Sequence, residues 1–179
     1  MRVVKCFLIF VIVLSSVCGT AIADRQTSIA LSIGAFFPQS SATGKTFGDT
    51  WSRISLNTFE TTKPEKWMFS PEIGSYRLSS STSAQLYPVT AGFERGLNKS
   101  SKAQPYLVFR AGPYYGRVSD SAIGLQESNV GLNTNAAFGV VFAHRFYLEA
   151  RYDYFSPIAG YNFNGFSVSA GVRLFDLRK

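Results

Sequence analysis

The run Phe146-Tyr-Leu-Glu-Ala-Arg-Tyr-Asp-Tyr-Phe155 can fold in few ways. Phe146, Leu148, Ala150, Tyr152 and Tyr154 alternate with Tyr147, Glu149, Arg151, Asp153 and Phe155. A strand sends successive side chains to opposite faces, whereas a helix would mix these two sets around its axis. One face is therefore apolar and aromatic, and the other carries three charges at consecutive alternate positions. The run Phe138-Gly-Val-Val-Phe-Ala143 precedes it, across the two residues His144-Arg145. The pair reads as a hairpin on a two-residue turn.

The same period of two recurs along the chain and predicts eight strands, over 27–37, 51–58, 66–78, 84–94, 105–117, 129–143, 146–155 and 163–175. In the first, Ile29, Leu31, Ile33, Ala35 and Phe37 share a face. In the last, Phe166, Val168, Ala170, Val172 and Leu174 oppose Ser167, Ser169, Gly171 and Arg173. Pro71 weakens the third strand, because proline cannot donate to a ladder. Segments 38–49, 61–65, 79–83, 96–103, 119–128 and 156–161 are expected as loops or turns.

Residues 1–23 read as a secretory signal peptide. Arg2 and Lys5 form a basic start, Cys6–Val17 an apolar core too short to span a bilayer comfortably, and Ala21-Ile22-Ala23 a small-x-small cleavage pattern. The mature domain is then 24–179. Cys18 sits where a lipidated cysteine could, but Ser15-Ser16-Val17 does not match the sequence such processing needs. Both cysteines of the chain lie in the removed segment. The mature domain has no disulfide and no thiol chemistry, so its stability must come from elsewhere. A closed barrel in lipid is one source, since every backbone group is paired between strands and no edge remains. Loss of Arg2 and Lys5 leaves 16 basic and 11 acidic residues, a formal charge near +5. Export argues against nucleic acid as the reason for that charge. Lys63, Lys66, Lys99 and Lys102 read as solvated turn residues.

Alternation alone does not separate a membrane barrel from a soluble one with its apolar face inward. The polar face decides. It is built of Ser, Gly, Asn, Ala and Thr, not the Lys and Glu of a water-facing surface. Small residues suit the crowded interior of a narrow barrel. The expected fold is all-β: an eight-stranded antiparallel transmembrane β-barrel in a bacterial outer membrane. Phe37, Tyr87, Phe93, Phe109, Tyr115, Phe138, Phe142, Phe146, Tyr152, Tyr154 and Phe166 are expected to face lipid. With the N-terminus in the periplasm, segments 38–50, 79–83, 117–128 and 156–161 face outward, and 59–65, 95–104 and 144–145 face the periplasm.

By the same register Arg53, Glu72, Arg110, Glu149, Arg151, Asp153 and Arg173 point into the lumen. Charges in so narrow a space must be paired and hydrogen-bonded. The expectation is an ion-pair network centred on Glu149, Arg151 and Asp153 and reaching Arg110. Tyr76, Tyr114, Tyr147 and Phe155 add bulk to the plug.

The segments Leu86-Tyr-Pro-Val-Thr-Ala-Gly-Phe93 and Gln104-Pro-Tyr-Leu-Val-Phe-Arg-Ala-Gly-Pro-Tyr-Tyr115 resemble the OmpA-like eight-stranded outer-membrane barrels. Phe166-Ser-Val-Ser-Ala-Gly-Val-Arg-Leu-Phe175 is similar to that family's closing strand. The resemblance is one of pattern over nearly the whole mature chain and speaks to fold more than to function. It implies outer-membrane lipids and lipopolysaccharide as neighbours, and periplasmic chaperones and the β-barrel assembly machinery as biogenesis partners. It implies no cofactor and no nucleic-acid partner, and a monomer. Family closing strands end on an aromatic residue that the machinery reads. Here Asp176-Leu-Arg-Lys179 follows, and the alternation puts Phe175 inward and Leu174 outward.

Enzymatic chemistry has little to work with. A lipid A deacylase would need His, Ser and an acid together near the outer leaflet. The single histidine, His144, falls in a periplasmic turn, so no catalytic residue is assigned. Asp49, Asp120 and Glu127 are too scattered to read as a metal site. Two function classes remain: a non-enzymatic structural or surface-interaction protein working through external loops, and a narrow porin-like channel for small solutes. Eight strands leave an interior about wide enough for side chains alone, which favours the first.

Overall fold

The structure is a computed structural model that describes residues 27–60, 66–79, 82–97, 103–121, 123–143 and 145–177. The signal-peptide reading and His144 lie outside the described residues. The strands are β1 (Thr27–Pro38), β2 (Trp51–Glu60), β3 (Met68–Phe69), β4 (Glu72–Ser79), β5 (Thr82–Gly96), β6 (Ala103–Asp120), β7 (Leu125–Phe142), β8 (Phe146–Phe155) and β9 (Gly165–Leu177). A short helix, α1 (Ser41–Phe47), joins β1 to β2. The strands pair antiparallel in the order β5-β4-β2-β1-β9-β8-β7-β6, and β6 pairs back onto β5. The sheet is therefore closed. β3 also pairs with β5, so β3 and β4 are two pieces of one wall strand, and the barrel is eight-stranded.

Alternation sorts the side chains by face. Along β8 the pattern exposed–buried repeats from Phe146 to Phe155 with Tyr152 half-buried. Ile33 is 65% exposed, Phe93 57%, Phe146 56% and Val168 56%. Serines, asparagines and charged residues are buried beside them. An exposed apolar band of this size is far from what water tolerates on a soluble monomer. The outer wall is apolar, as lipid requires, and the polar and charged side chains of the strands turn inward. Among the described residues no helix is long and apolar enough to cross a membrane.

The proline anticipated to weaken the third strand breaks it. Ser70 and Pro71 separate β3 from β4. The Ser70 amide still donates to Gly92 O (2.9 Å), while its carbonyl and hydroxyl turn to the interior.

Three expectations need correction. Segment 38–49 is not all loop. Ser40 caps α1, its side chain accepting from Thr43 N at 3.4 Å, and Gly48 closes the helix at φ 88°. A left-handed C-terminal position of this kind favours glycine. Segment 119–128 is mostly strand: β6 and β7 run past the expected rim and pair up to Asp120↔Leu125. The β7–β8 connection is three residues rather than two, because Phe142 pairs with Phe146 and Ala143 takes a positive φ of 47°. Leu174 is 45% exposed, as the alternation requires, and Phe175 sits opposite Ile29 beyond a register shift in the β1–β9 ladder. The Phe175 side chain lies outside the described residues.

Candidate functional site

These strands enclose a lumen, and side chains fill it in three layers. At the end that carries α1, Phe36, Phe47, Trp51, Tyr76, Tyr114, Phe155 and Phe163 form a buried aromatic cluster with Leu86, Val118 and Ile158. Most ring contacts are edge-to-face: Phe36–Tyr76 at 5.1 Å and 88°, Tyr114–Phe155 at 5.1 Å and 83°. Such geometry sets the positive ring edge on a negative face. The Tyr114 hydroxyl donates to Ser156 O. α1 closes this end. Phe47 packs against Tyr161 and Phe163, Thr43 Oγ1 donates to Asn162 O (2.6 Å), and Thr82 Oγ1 donates to Thr46 O (2.6 Å).

At the opposite end, Phe59, Tyr106 and Tyr147 pack with Ala30, Val108, Ala137 and Val141. Phe59 lies 5.1 Å from Tyr106 and 4.7 Å from Tyr147. The Arg173 guanidinium stands over the Phe59 ring at 5.2 Å.

Between the aromatic layers lies the ion-pair layer, and its centre is Glu72. Arg151 grips both carboxylate oxygens, Nη1 to Oε1 and Nη2 to Oε2, each at 2.5 Å. Arg53 Nη2 donates to Oε1 (3.1 Å), and Arg110 Nη1 pairs with Oε2 (3.1 Å). Arg151 also reaches Glu149 Oε1 at 2.7 Å, and Arg53 lies 3.8 Å from the same oxygen. Partners from β2, β4, β9 and the break at Ser70 satisfy two of the guanidiniums further. Tyr76 accepts from Arg53 Nε (3.0 Å), Ser169 and Ser55 accept from its Nη atoms, and Ser70 takes Arg110 through both carbonyl and hydroxyl (2.9 and 2.6 Å). This is what lets charges survive burial: geometry good enough for attraction to offset desolvation, with most of the other donors hydrogen-bonded.

All seven charges expected inside are buried, but they do not group as expected. Glu72, not the Glu149–Arg151–Asp153 row, is the hub. Asp153 joins through a phenol, its Oδ2 accepting from Tyr76 at 2.9 Å. Arg173 belongs to the aromatic layer. The reason is curvature: residues two apart on one strand sit along the wall, whereas β2, β4, β6 and β8 reach the same point of the lumen from different sides. Sequence reading missed Glu94, which is buried and accepts from Ser70 Oγ (3.1 Å). It also missed Tyr106, whose hydroxyl donates to Glu149 Oε2 (2.9 Å). Alternation from Phe93 and Leu107 places both inward, so the signal was present.

Of the outward aromatics, Phe37, Tyr87, Phe93, Phe109, Phe138, Phe142, Phe146, Tyr154 and Phe166 are exposed on the barrel wall. Tyr115 and Tyr152 also face out and are half-buried, Tyr152 by an edge contact with Phe166 at 4.9 Å. Among the described residues no group of three or more His, Cys, Asp or Glu is placed to hold a metal ion.

No protein-family model matches the chain, and no curated protein is similar to it in sequence. Solved structures do match. Neisserial surface protein A superposes with a TM-score of 0.64 at 18% identity, over 83% of this chain and 96% of that one. The N-terminal β-barrel domain of Pseudomonas aeruginosa OprF gives 0.55 at 12%, over 84% and 98%. Ail, the attachment invasion locus protein of Yersinia pestis, solved with the heparin analogue sucrose octasulfate, gives 0.55 at 19%, over 84% and 99%. At these identities the likeness is one of fold: this chain has the architecture of small eight-stranded outer-membrane barrels.

Proposed function

We propose that the chain is an integral outer-membrane protein of a Gram-negative-type bacterium, without catalytic activity and with a plugged lumen. It acts structurally or through surface contacts made by its external loops and outer wall. The observation that carries this reading is the three-layer lumen, in which Glu72 holds three arginines between two aromatic layers. A conducting pore needs a continuous watery path, and the side chains filling each layer argue against one. The exposed apolar wall supports the membrane setting. Export by the secretory route, cleavage near Ala23, folding through periplasmic chaperones and the assembly machinery, and a monomer among lipids and lipopolysaccharide complete the proposal.

The test is single-channel conductance of the refolded mature chain in a planar bilayer, with heat-modifiable gel migration of the same sample to establish folding. Folded protein without conductance is the expected result. Steady channels from folded protein would replace this reading by the narrow porin-like channel.

A further inference from the structure

The outer wall of β4, β5 and β6 changes chemistry in ordered rows near the α1 end. Cross-strand partners share a face, so the register defines each row. Pro113 and Leu132 are paired below. Tyr87 pairs with Tyr115, and Tyr115 with Val130. One row further, Arg77 pairs with Gln85, Gln85 with Arg117 and Arg117 with Ser128. Beyond it Ser83 pairs with Ser119, and Ser119 with Gln126. The sequence of rows is apolar, phenolic, cationic, then hydroxyl and amide.

Successive rows are two residues apart, about 7 Å along a strand, or about 5 Å along the axis of a tilted barrel. The arginines therefore stand just outside a tyrosine pair. Tyrosine belongs at the level where acyl chains meet headgroups, so the arginines reach the depth of headgroup phosphates. Both Arg77 and Arg117 are exposed. Arg117 makes no ion pair and no side-chain hydrogen bond among the described residues. Between them the amide of Gln85 is oriented: its Oε1 accepts from the Tyr87 hydroxyl at 2.9 Å, leaving its NH2 to donate. Two guanidiniums about 10 Å apart at their backbones, with an amide donor between, form a fork of donors with no carboxylate in the row.

We propose that Arg77, Gln85 and Arg117 form a binding site for the phosphate headgroup of an anionic lipid on the outer wall of the barrel. The proposal rests on this face being the membrane face.

The mature chain, refolded in zwitterionic detergent, is titrated separately with phosphorylated lipid A, phosphatidylglycerol and inorganic phosphate, and retained lipid is counted by native mass spectrometry. The parent is expected to retain an anionic lipid, the tighter of the two naming its source. Arg77→Gln and Arg117→Gln should each weaken retention about fivefold, and Arg95→Gln at the opposite end should leave it unchanged. Equal retention by the double variant, equal loss in Arg95→Gln, or displacement of the lipid by millimolar inorganic phosphate would each overturn the site. Flotation with liposomes separates the two claims. A parent that fails to float overturns the membrane reading, and one that floats yet retains no anionic lipid overturns the site alone.

Discussion

The ring of Tyr106 occupies the space that a side chain on Gly139, its cross-strand partner, would need. A Cβ built on Gly139 would overlap the phenol carbons and hydroxyl of Tyr106. Tyr147 and its partner Gly171 repeat the arrangement on β8 and β9. An aromatic ring laid over a cross-strand glycine fills a narrow lumen without widening the wall. Gly139→Leu should therefore fail to fold to the parent state, and Gly139→Ala should cost about 1–3 kcal/mol by overpacking. Urea titration followed by heat-modifiable migration measures both. Normal folding of Gly139→Leu would show that the interior is looser than described.

Glu72 is shared by three arginines, Arg53, Arg110 and Arg151. Glu72→Ala leaves Arg53, Arg110 and Arg151 facing one another in a buried layer. Removing one member of a buried ion pair costs about 3–5 kcal/mol, and three cations share this loss. The variant should refold in low yield with a much lower urea midpoint. Asp153→Asn keeps a side chain that can accept from Tyr76, and should cost far less. Equal effects would mean that Glu72 is not the hub.

On the plugged-lumen proposal, each of the two aromatic layers closes the lumen by itself. Phe155→Ala thins the layer beneath α1 but leaves Phe59, Tyr106 and Tyr147 in place, so it should remain non-conducting. Phe59→Ala alone should behave likewise. Only removal of both, together with an opened ion-pair layer, should admit ions. Planar-bilayer recordings on each folded variant would decide it, and conductance from a single truncation would place the seal in one layer.

α1 is tied across the barrel mouth by the bond from Thr43 Oγ1 to Asn162 O. Thr43→Val keeps the shape and removes the donor, at a net cost of about 1 kcal/mol. Trypsin should then cut after Lys45 faster while the unfolding midpoint of the barrel barely moves. Lys45→Ala, on the exposed side of α1, should leave folding intact.

Period two determined a great deal without any structure. It assigned inward and outward faces along nearly every strand, since the alternation is a property of local backbone geometry and needs no partner. It therefore placed Phe146, Phe166 and Val168 outside and Arg53, Glu72 and Arg151 inside. It also exposed the weak point at Pro71, whose missing N–H is a local fact. It did not tell which inward charges meet. Glu72 and Arg151 stand 79 positions apart, on β4 and β8, and meet across the lumen because β5 closes against β6. Closure decided that Glu72 rather than Asp153 is the hub, because the far wall delivers arginines to that height. α1 was hidden for a related reason. Seven residues are too few to make a helix on propensity, and this one is held by Phe47, Thr43 and Thr46 docking onto a mouth that the finished barrel provides.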